Sequence, residues 1–278
     1  MADATGPDVP SSDFDLALLT DTGTNRPDNE DACGHFIEGS RTALFAVADG
    51  IGGYEGGEVA SRMAVDITLE AYRESPAAWG PGKRLQRAAQ RANIEIHNRA
   101  IAVPELRRMG TTLTAVAVEA GMLYAAHVGD CRLYLARRGR LTQITKDHTV
   151  VGERVRMGLM SAARARSHPE RSVLNRSLGH ELIVSVDRIS MPLVRGDRLL
   201  LCSDGLYGVL EEREMEQLLR TEEAAAACSA LIAAANARGT ADNLSAAVFV
   251  MRADTGHSEA GGAGGWRARC ARWFGRRA

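Results

Sequence analysis

The chain has 278 residues, 45% of them hydrophobic, and a formal net charge of -1 at pH 7. It can bury one large core, and it lacks the cationic excess that nucleic acid would require of its main partner. Cys33, Cys131, Cys202, Cys228 and Cys270 are odd in number and far apart, which excludes a zinc knuckle or redox pair and fits reduced thiols in a cytoplasmic protein. The amino terminus carries Asp3, Asp8, Asp13 and Asp15 instead of the basic start and apolar stretch of a signal peptide. No apolar run approaches the roughly 18 residues of a membrane span.

In chain order, residues 1–12 read as a disordered lead and Phe14 to Thr20 as a first strand, and a second strand ends at Ala48. Val59, Met63, Ile67 and Ala71 recur at near-helical spacing, as do Leu85, Ala88, Ala92, Ile96 and Ala100. Two helices separated by the Pro76–Gly82 break follow from that pattern, each with an apolar stripe that must pack on a sheet. From Thr111 the period shortens to that of strands at Leu113–Val118, Met122–Val128, Arg132–Ala136 and Leu141–Ile144, linked by tight turns and read as an antiparallel meander. Asp147 to Gly179 is polar and arginine-rich, an irregular or partly helical flap over the sheet edge. Strands at Ile183–Ile189 and Leu199–Cys202, helices at Glu211–Arg220 and Glu222–Arg238, and a last strand at Ala246–Met251 complete the body. Strands in two groups, each followed by a helix pair, predict an α+β fold with two antiparallel sheets face to face and helices outside.

Residues 13–253 form the predicted main domain. A glycine-rich linker at 254–265 and a basic tail at 266–278 follow, the tail holding five arginines and no acid. Trp266, Cys270, Trp273 and Phe274 would share one helical face of that tail, so it reads either as a solvated end or as a weak amphipathic contact for an anionic membrane surface or a partner.

Five aspartates carry the most information. Asp49 follows the apolar run Leu44–Ala48 and precedes Gly50-Ile51-Gly52-Gly53; Asp130 follows Leu123–Gly129; Asp204 follows Leu199–Ser203; Asp242-Asn243 precedes Ala246–Val250; and Asp31 closes Arg26-Pro27-Asp28-Asn29-Glu30-Asp31. Carboxylates gathered at strand ends would repel one another unless hard divalent cations neutralised them. Arg26 adds a guanidinium suited to a phosphate, and Gly50 lets backbone approach a ligand closely.

These residues, in this order, resemble the metal-dependent protein serine/threonine phosphatases of the type 2C (PPM) family, of the compact bacterial kind. The likeness covers about residues 14–252 and includes Gly110-Thr111-Thr112-Leu113, Val128-Gly129-Asp130-Cys131-Arg132, Asp147-His148, His168-Pro169, Asn175-Arg176-Ser177-Leu178-Gly179 and Ser203-Asp204-Gly205-Leu206. The resemblance implies a four-layer αββα sandwich and a phosphoprotein phosphatase working with two Mn²⁺ or Mg²⁺ ions, which activate water for attack on phosphorus. By similarity, Asp49 would bridge the ions and the Gly50 carbonyl would hold one of them. Asp31, Asp204 and Asp242 would complete the second ion's shell, Asp130 with Asp204 would hold a third, weaker ion, and Arg26 would bind the substrate phosphate.

The implied partners are phosphorylated proteins and a serine/threonine kinase that the enzyme opposes, with the protein itself a monomer. Ile51 stands where many relatives carry a histidine acid, leaving His127, His148 and His168 as candidates by location alone. A silent phosphoprotein-binding relative and a small-molecule phosphate hydrolase are the alternative functions.

Overall fold

Ala43, Leu44, Phe45, Ala46, Val47 and Ala48 have no solvent exposure, because the strand they form is covered on both faces. The alternation of a strand sends Leu44, Ala46 and Ala48 toward one cluster and Ala43, Phe45 and Val47 toward another. The computed structural model describes residues 13–52, 56–76 and 78–257. The lead at 1–12, most of the linker and the basic tail lie outside the described residues.

The chain begins with strands β1 (Phe14–Asp21), β2 (Asp31–Glu38) and β3 (Thr42–Ile51), then helices α1 (Gly56–Glu74) and α2 (Pro81–Ala102). It continues through β4 (Gly110–Thr111), β5 (Leu113–Glu119), β6 (Met122–Val128), β7 (Arg132–Arg137) and β8 (Arg140–Gln143). Helices α3 (Val150–Arg156) and α4 (Ala162–Arg166), strands β9 (Asp187–Pro192) and β10 (Arg198–Cys202), helices α5 (Asp204–Tyr207), α6 (Glu212–Leu218) and α7 (Ala224–Ala237), and strand β11 (Leu244–Met251) complete it. One sheet has the order β1-β11-β10-β7-β8 and the other β2-β3-β5-β6-β9, with β4 paired to β3. Every pairing is antiparallel, so the predicted αββα sandwich is what forms.

Between the sheets the side chains are large. Phe249 stacks between Phe14 and Phe45, with ring centroids 5.2 and 6.0 Å away, and each buried ring contributes about 2–3 kcal/mol. Under the first helix pair the side chains are small, with Ala46, Ala48, Ala60, Ala64, Ala88, Ala92 and Ala115 in one cluster. Small residues let α1 and α2 lie close to the sheet. The buried face of α1 runs through Ala60, Ala64, Val65, Thr68 and Ala71, whereas Val59, Met63 and Ile67 are only partly buried at its flank; the predicted stripe is rotated because the sheet accepts alanines and leaves larger side chains at the edge. On α2, Leu85, Ala88, Ala92, Ile96 and Ala100 are buried as the spacing predicts.

Three further expectations change. The segment before Ala48 is a hairpin of two strands, β2 and β3, turning at Gly39, whose φ is +61°. The predicted meander breaks after Val128: β6 and β7 belong to opposite sheets, and Gly129, with φ +103°, carries the chain across. The strand predicted at Ile183–Ile189 begins only at Asp187, because Asn93 Nδ2 donates to the carbonyls of Glu181 and Leu182 at 2.9 and 3.0 Å and draws them to α2. The 147–179 segment holds α3 and α4, capped by Thr149 and Ser161.

Candidate active site

Strand register brings the five aspartates to one end of the sandwich. In the second sheet Asp31 at the start of β2 lies opposite Asp49 near the end of β3, and Leu113 at the start of β5 lies opposite Val128 at the end of β6. In the first sheet Cys202 at the end of β10 pairs with both Ala246 near the start of β11 and Arg132 at the start of β7. Asp130 therefore sits in the crossover that joins these ends, Asp204 opens α5 directly after β10, and Asp242 precedes β11.

A hydrogen-bond network holds the two sheets together there. Ser203 Oγ donates to Asp31 Oδ2 at 2.6 Å and accepts from Ser245 N at 2.9 Å. Ser245 Oγ donates to Thr20 Oγ1 at 2.9 Å, which also accepts from Asn29 Nδ2 at 2.9 Å. Asp49 is fixed through its backbone: Thr112 Oγ1 accepts from Asp49 N at 2.9 Å, and the Asp49 carbonyl accepts from Thr112 N at 2.9 Å and Thr111 Oγ1 at 2.8 Å.

Burial and mutual repulsion set the electrostatics. Burial pushes the Asp31 carboxyl up to about 7, against the hydrogen bonds of Ser203 and Ser245, with Asp204 and Asp242 adding to the rise. Burial, and then the charge of Asp242, raises Asp204 to about 6. Asp49 is raised well above the carboxylate range by burial and by the fields of Asp31, Asp204, Asp130 and Asp242. Asp130 is raised by burial and by Asp204 and Asp147. Asp49 thus senses the other four stations. Among the described residues, no three acidic, histidine or cysteine side chains are already gathered as a ligand set; Asp31 is turned to Ser203, and Asp242 Oδ1 to Arg26.

Arg26 lies at the rim. Its Nη2 is 2.9 Å from Asp242 Oδ1, both side chains being more than two-fifths exposed, and its Nε donates to the Ala241 carbonyl at 3.2 Å. At Gly50 a Cβ would overlap the Gly57 carbonyl oxygen and lie 2.6 Å from Glu30 O, so only glycine fits. Gly205 is in the same position against Asn243 O, which lets the Asp204 and Asp242 turns touch.

Sequence reading assigned no role to Asn243, Ser203 or Glu30. Asn243 Oδ1 accepts from Glu30 N at 2.9 Å, and its Nδ2 donates to Thr22 O and Asp28 O at 2.8 and 2.9 Å, stapling the loop that carries Arg26. Its place beside Asp242 was the available signal. Glu30 is raised chiefly by burial, with Asp242, Asp28 and Glu58 adding and Arg26 opposing, and it adjoins the five stations.

His127 is buried, with its ring held down to about 4 first by burial and then by His148; its Nε2 lies 2.9 Å from the Lys146 carbonyl. His148 is equally buried, and His168 Nδ1 accepts from Glu170 N at 3.1 Å within the flap. None of the three bonds to any of the five aspartates. Cys131 and Cys202 are buried and their thiols are raised mainly by that burial, so they serve as core residues rather than thiolates.

An αββα sandwich with a buried all-oxygen acidic centre at the open end of its sheets is the architecture of a metal-dependent protein phosphatase. The sequence profile described as Protein phosphatase 2C matches residues 24–248. The serine/threonine phosphatase stp of Listeria innocua is 38% identical over 234 residues, covering 81% of this chain and 91% of that protein. The crystal structure of the Mycobacterium tuberculosis serine/threonine phosphatase PstP/Ppp superposes with a TM-score of 0.78 at 36% identity, covering 87% of this chain and all of that one. A structure of the PstP catalytic domain in complex with two manganese ions gives a TM-score of 0.77 at 34% identity, covering 87% of this chain and 99% of that one. The chain belongs to the protein phosphatase 2C family, in its bacterial form.

Proposed function

We propose that this chain removes phosphate from phosphoserine and phosphothreonine in proteins, using two Mn²⁺ or Mg²⁺ ions held by the aspartates at the open end of the sandwich. The observation that carries the reading is the register that sets Asp31 opposite Asp49 and turns Asp130, Asp204 and Asp242 toward the same end. The donor set fits the ions: it is made of hard carboxylate and carbonyl oxygens, whose raised carboxyls await a neutralising charge. When bound, such ions supply a water acidified for attack and a counter-charge for the transferring phosphoryl group.

The chain's own residues do the rest. Asp49 and the Gly50 carbonyl would hold the ions together with Asp31, Asp204 and Asp242, and Asp130 with Asp204 would hold a third, weaker one. Arg26 orients the substrate phosphate from the rim. Ile51 stands in place of a histidine acid, and His127 and His148 are buried and bond to none of the five aspartates, which leaves the proton for the departing serine or threonine oxygen to water.

Phosphorylated proteins are the substrates, and a serine/threonine kinase must supply them, so the enzyme acts in opposition to such a kinase. We place it in the cytoplasm as a monomer comprising a catalytic domain at 13–253, a linker at 254–265 and a basic tail at 266–278 that makes at most a weak contact with a membrane surface or partner. Cys33, Cys131, Cys202 and Cys228 are buried and outside any disulfide, which suits that compartment. Among the described residues no helix is long and apolar enough to cross a membrane. The presence of all five aspartates and Arg26 argues against a silent relative.

Hydrolysis of p-nitrophenyl phosphate and a phosphothreonine peptide, measured with Mn²⁺, with EDTA and for Asp204→Asn, tests the reading. Turnover is expected with Mn²⁺ alone and to fall by orders of magnitude in the variant; activity that survives EDTA, or equal rates in the variant, would refute it.

A further inference from the structure

Asp147-His148 has no part in the hydrolysis just described, yet its side chains bond to the residues on either side of Asp130, His148 to Gly129 and Asp147 to Arg132. His148 is 1% exposed. Its Nδ1 accepts from Gly129 N at 3.0 Å, and its own N donates to the Gly129 carbonyl at 2.8 Å. One residue therefore takes both backbone polar groups of the glycine that precedes Asp130 and carries the chain between sheets.

The acceptor role of Nδ1 places the neutral ring's hydrogen on Nε2, which lies 3.1 Å from Arg176 Nη1 and 3.4 Å from Asp187 Oδ2; the guanidinium only donates, so the carboxylate is the acceptor. Arg176 Nη1 donates to Asp187 Oδ1 at 2.7 Å, and hydrogen bonding from His148, then Arg176, holds Asp187 well below the usual carboxylate range. The far side of Asp130 is fixed through Asp147. Its Oδ1 and Oδ2 accept from Arg132 Nε and Nη2 at 3.0 and 2.6 Å; the guanidinium lies 3.7 Å over the Tyr207 ring, and Tyr207 OH donates to the Asp130 carbonyl at 3.1 Å.

The two ends of the 147–179 flap also meet at this residue. The His148 carbonyl accepts from Asn175 N at 2.9 Å, Val150 N donates to Val173 O at 2.9 Å, and Thr149 bridges Leu174.

We propose that His148 is a positioning residue that fixes the Gly129-Asp130 crossover through its Nδ1 and joins it, through its other polar atoms, to the root of the flap. Asp130 is aimed by a loop whose Gly129 backbone groups are both taken by His148, and the same residue's carbonyl bonds the root of the flap. The part of this inference that concerns ion binding rests on the proposed role of Asp130; the part that concerns loop order does not.

Two variants separate the ring's functions. In His148→Asn the side-chain oxygen reaches the place of Nδ1 and accepts from Gly129 N, whereas in His148→Gln the amide reaches the place of Nε2 and leaves Gly129 N without its acceptor. Amide hydrogen exchange is read at Gly129 and at Phe45 in the EDTA-treated full chain, and the Mn²⁺ concentration for half-maximal activation is read in parallel. His148→Gln is expected to exchange about ten-fold faster at Gly129, the effect of losing one buried hydrogen bond, with Phe45 unchanged and several-fold more Mn²⁺ needed. His148→Asn is expected to stay within about two-fold of the parent in both. Unchanged exchange at Gly129 in His148→Gln overturns the proposal, as does an equal rise at Gly129 and Phe45 in both variants. Asp130→Asn is the control for the ion: if it leaves the Mn²⁺ response unaltered, the ligand role of Asp130 fails while the exchange data still decide the role of His148.

Discussion

Replacing Asp31 with asparagine should stabilise the chelated protein while destroying the enzyme. Asp31 is buried, and burial raises its carboxyl to about 7, about three units above an unfolded aspartate, which amounts to on the order of 4 kcal/mol. Because the folded value is the higher one, the stability this group contributes is fully present below about pH 4 and is lost as pH rises through about 7. At pH 8 in EDTA the parent carries the whole penalty and Asp31→Asn carries none. The variant keeps an oxygen for Ser203 Oγ, which donates to Asp31 Oδ2 at 2.6 Å in the parent. Its melting temperature should exceed the parent's by about 10 °C at pH 8, taking 2–4 °C per kcal/mol for a domain of this size, and by little at pH 4. Saturating Mn²⁺ should reverse the order, since ions bind the folded parent and stabilise it by mass action. Thermal melts in EDTA and in Mn²⁺ across that pH range measure this. A variant no more stable than the parent at pH 8 in EDTA, or a gain that persists undiminished at pH 4, refutes the claim that repulsion and burial strain this centre.

Arg26→Ala should change stability by less than about 1 kcal/mol, since its pair with Asp242 is solvent-exposed, while kcat/KM for a phosphothreonine peptide falls about ten- to hundred-fold through KM; an unchanged KM removes Arg26 from the phosphate. Asn243→Ala loses three hydrogen bonds to the Arg26 loop and should cost about 2–4 kcal/mol in urea unfolding, a loss below about 1 kcal/mol showing that the staple is dispensable.

Much of the site was legible because aspartates at the ends of apolar runs must lie where strands leave the core. Asp49 after Leu44–Ala48 and Asp204 after Leu199–Ser203 could be placed at sheet ends from alternation and turn chemistry alone. The work of Asn243 was not legible, because its three partners lie more than 200 positions away in sequence. The histidines were equally opaque: His127, His148 and His168 look alike as residue types, and only packing makes the first two buried struts and leaves the third on the flap.

The sequence alone determined that strands and helices alternate in two groups, that α2 buries Leu85 through Ala100 on one face, and that the acids belong to strand ends; each follows from local periodicity and turn preference. Tertiary structure alone decided that the chain changes sheets at Gly129, that residues 183–186, next to the Asn93-bound Glu181 and Leu182, stay outside the strand that begins at Asp187, and that α1 buries its alanines. Those outcomes depend on which distant surface a segment meets, and a residue's local pattern is the same whichever sheet receives it.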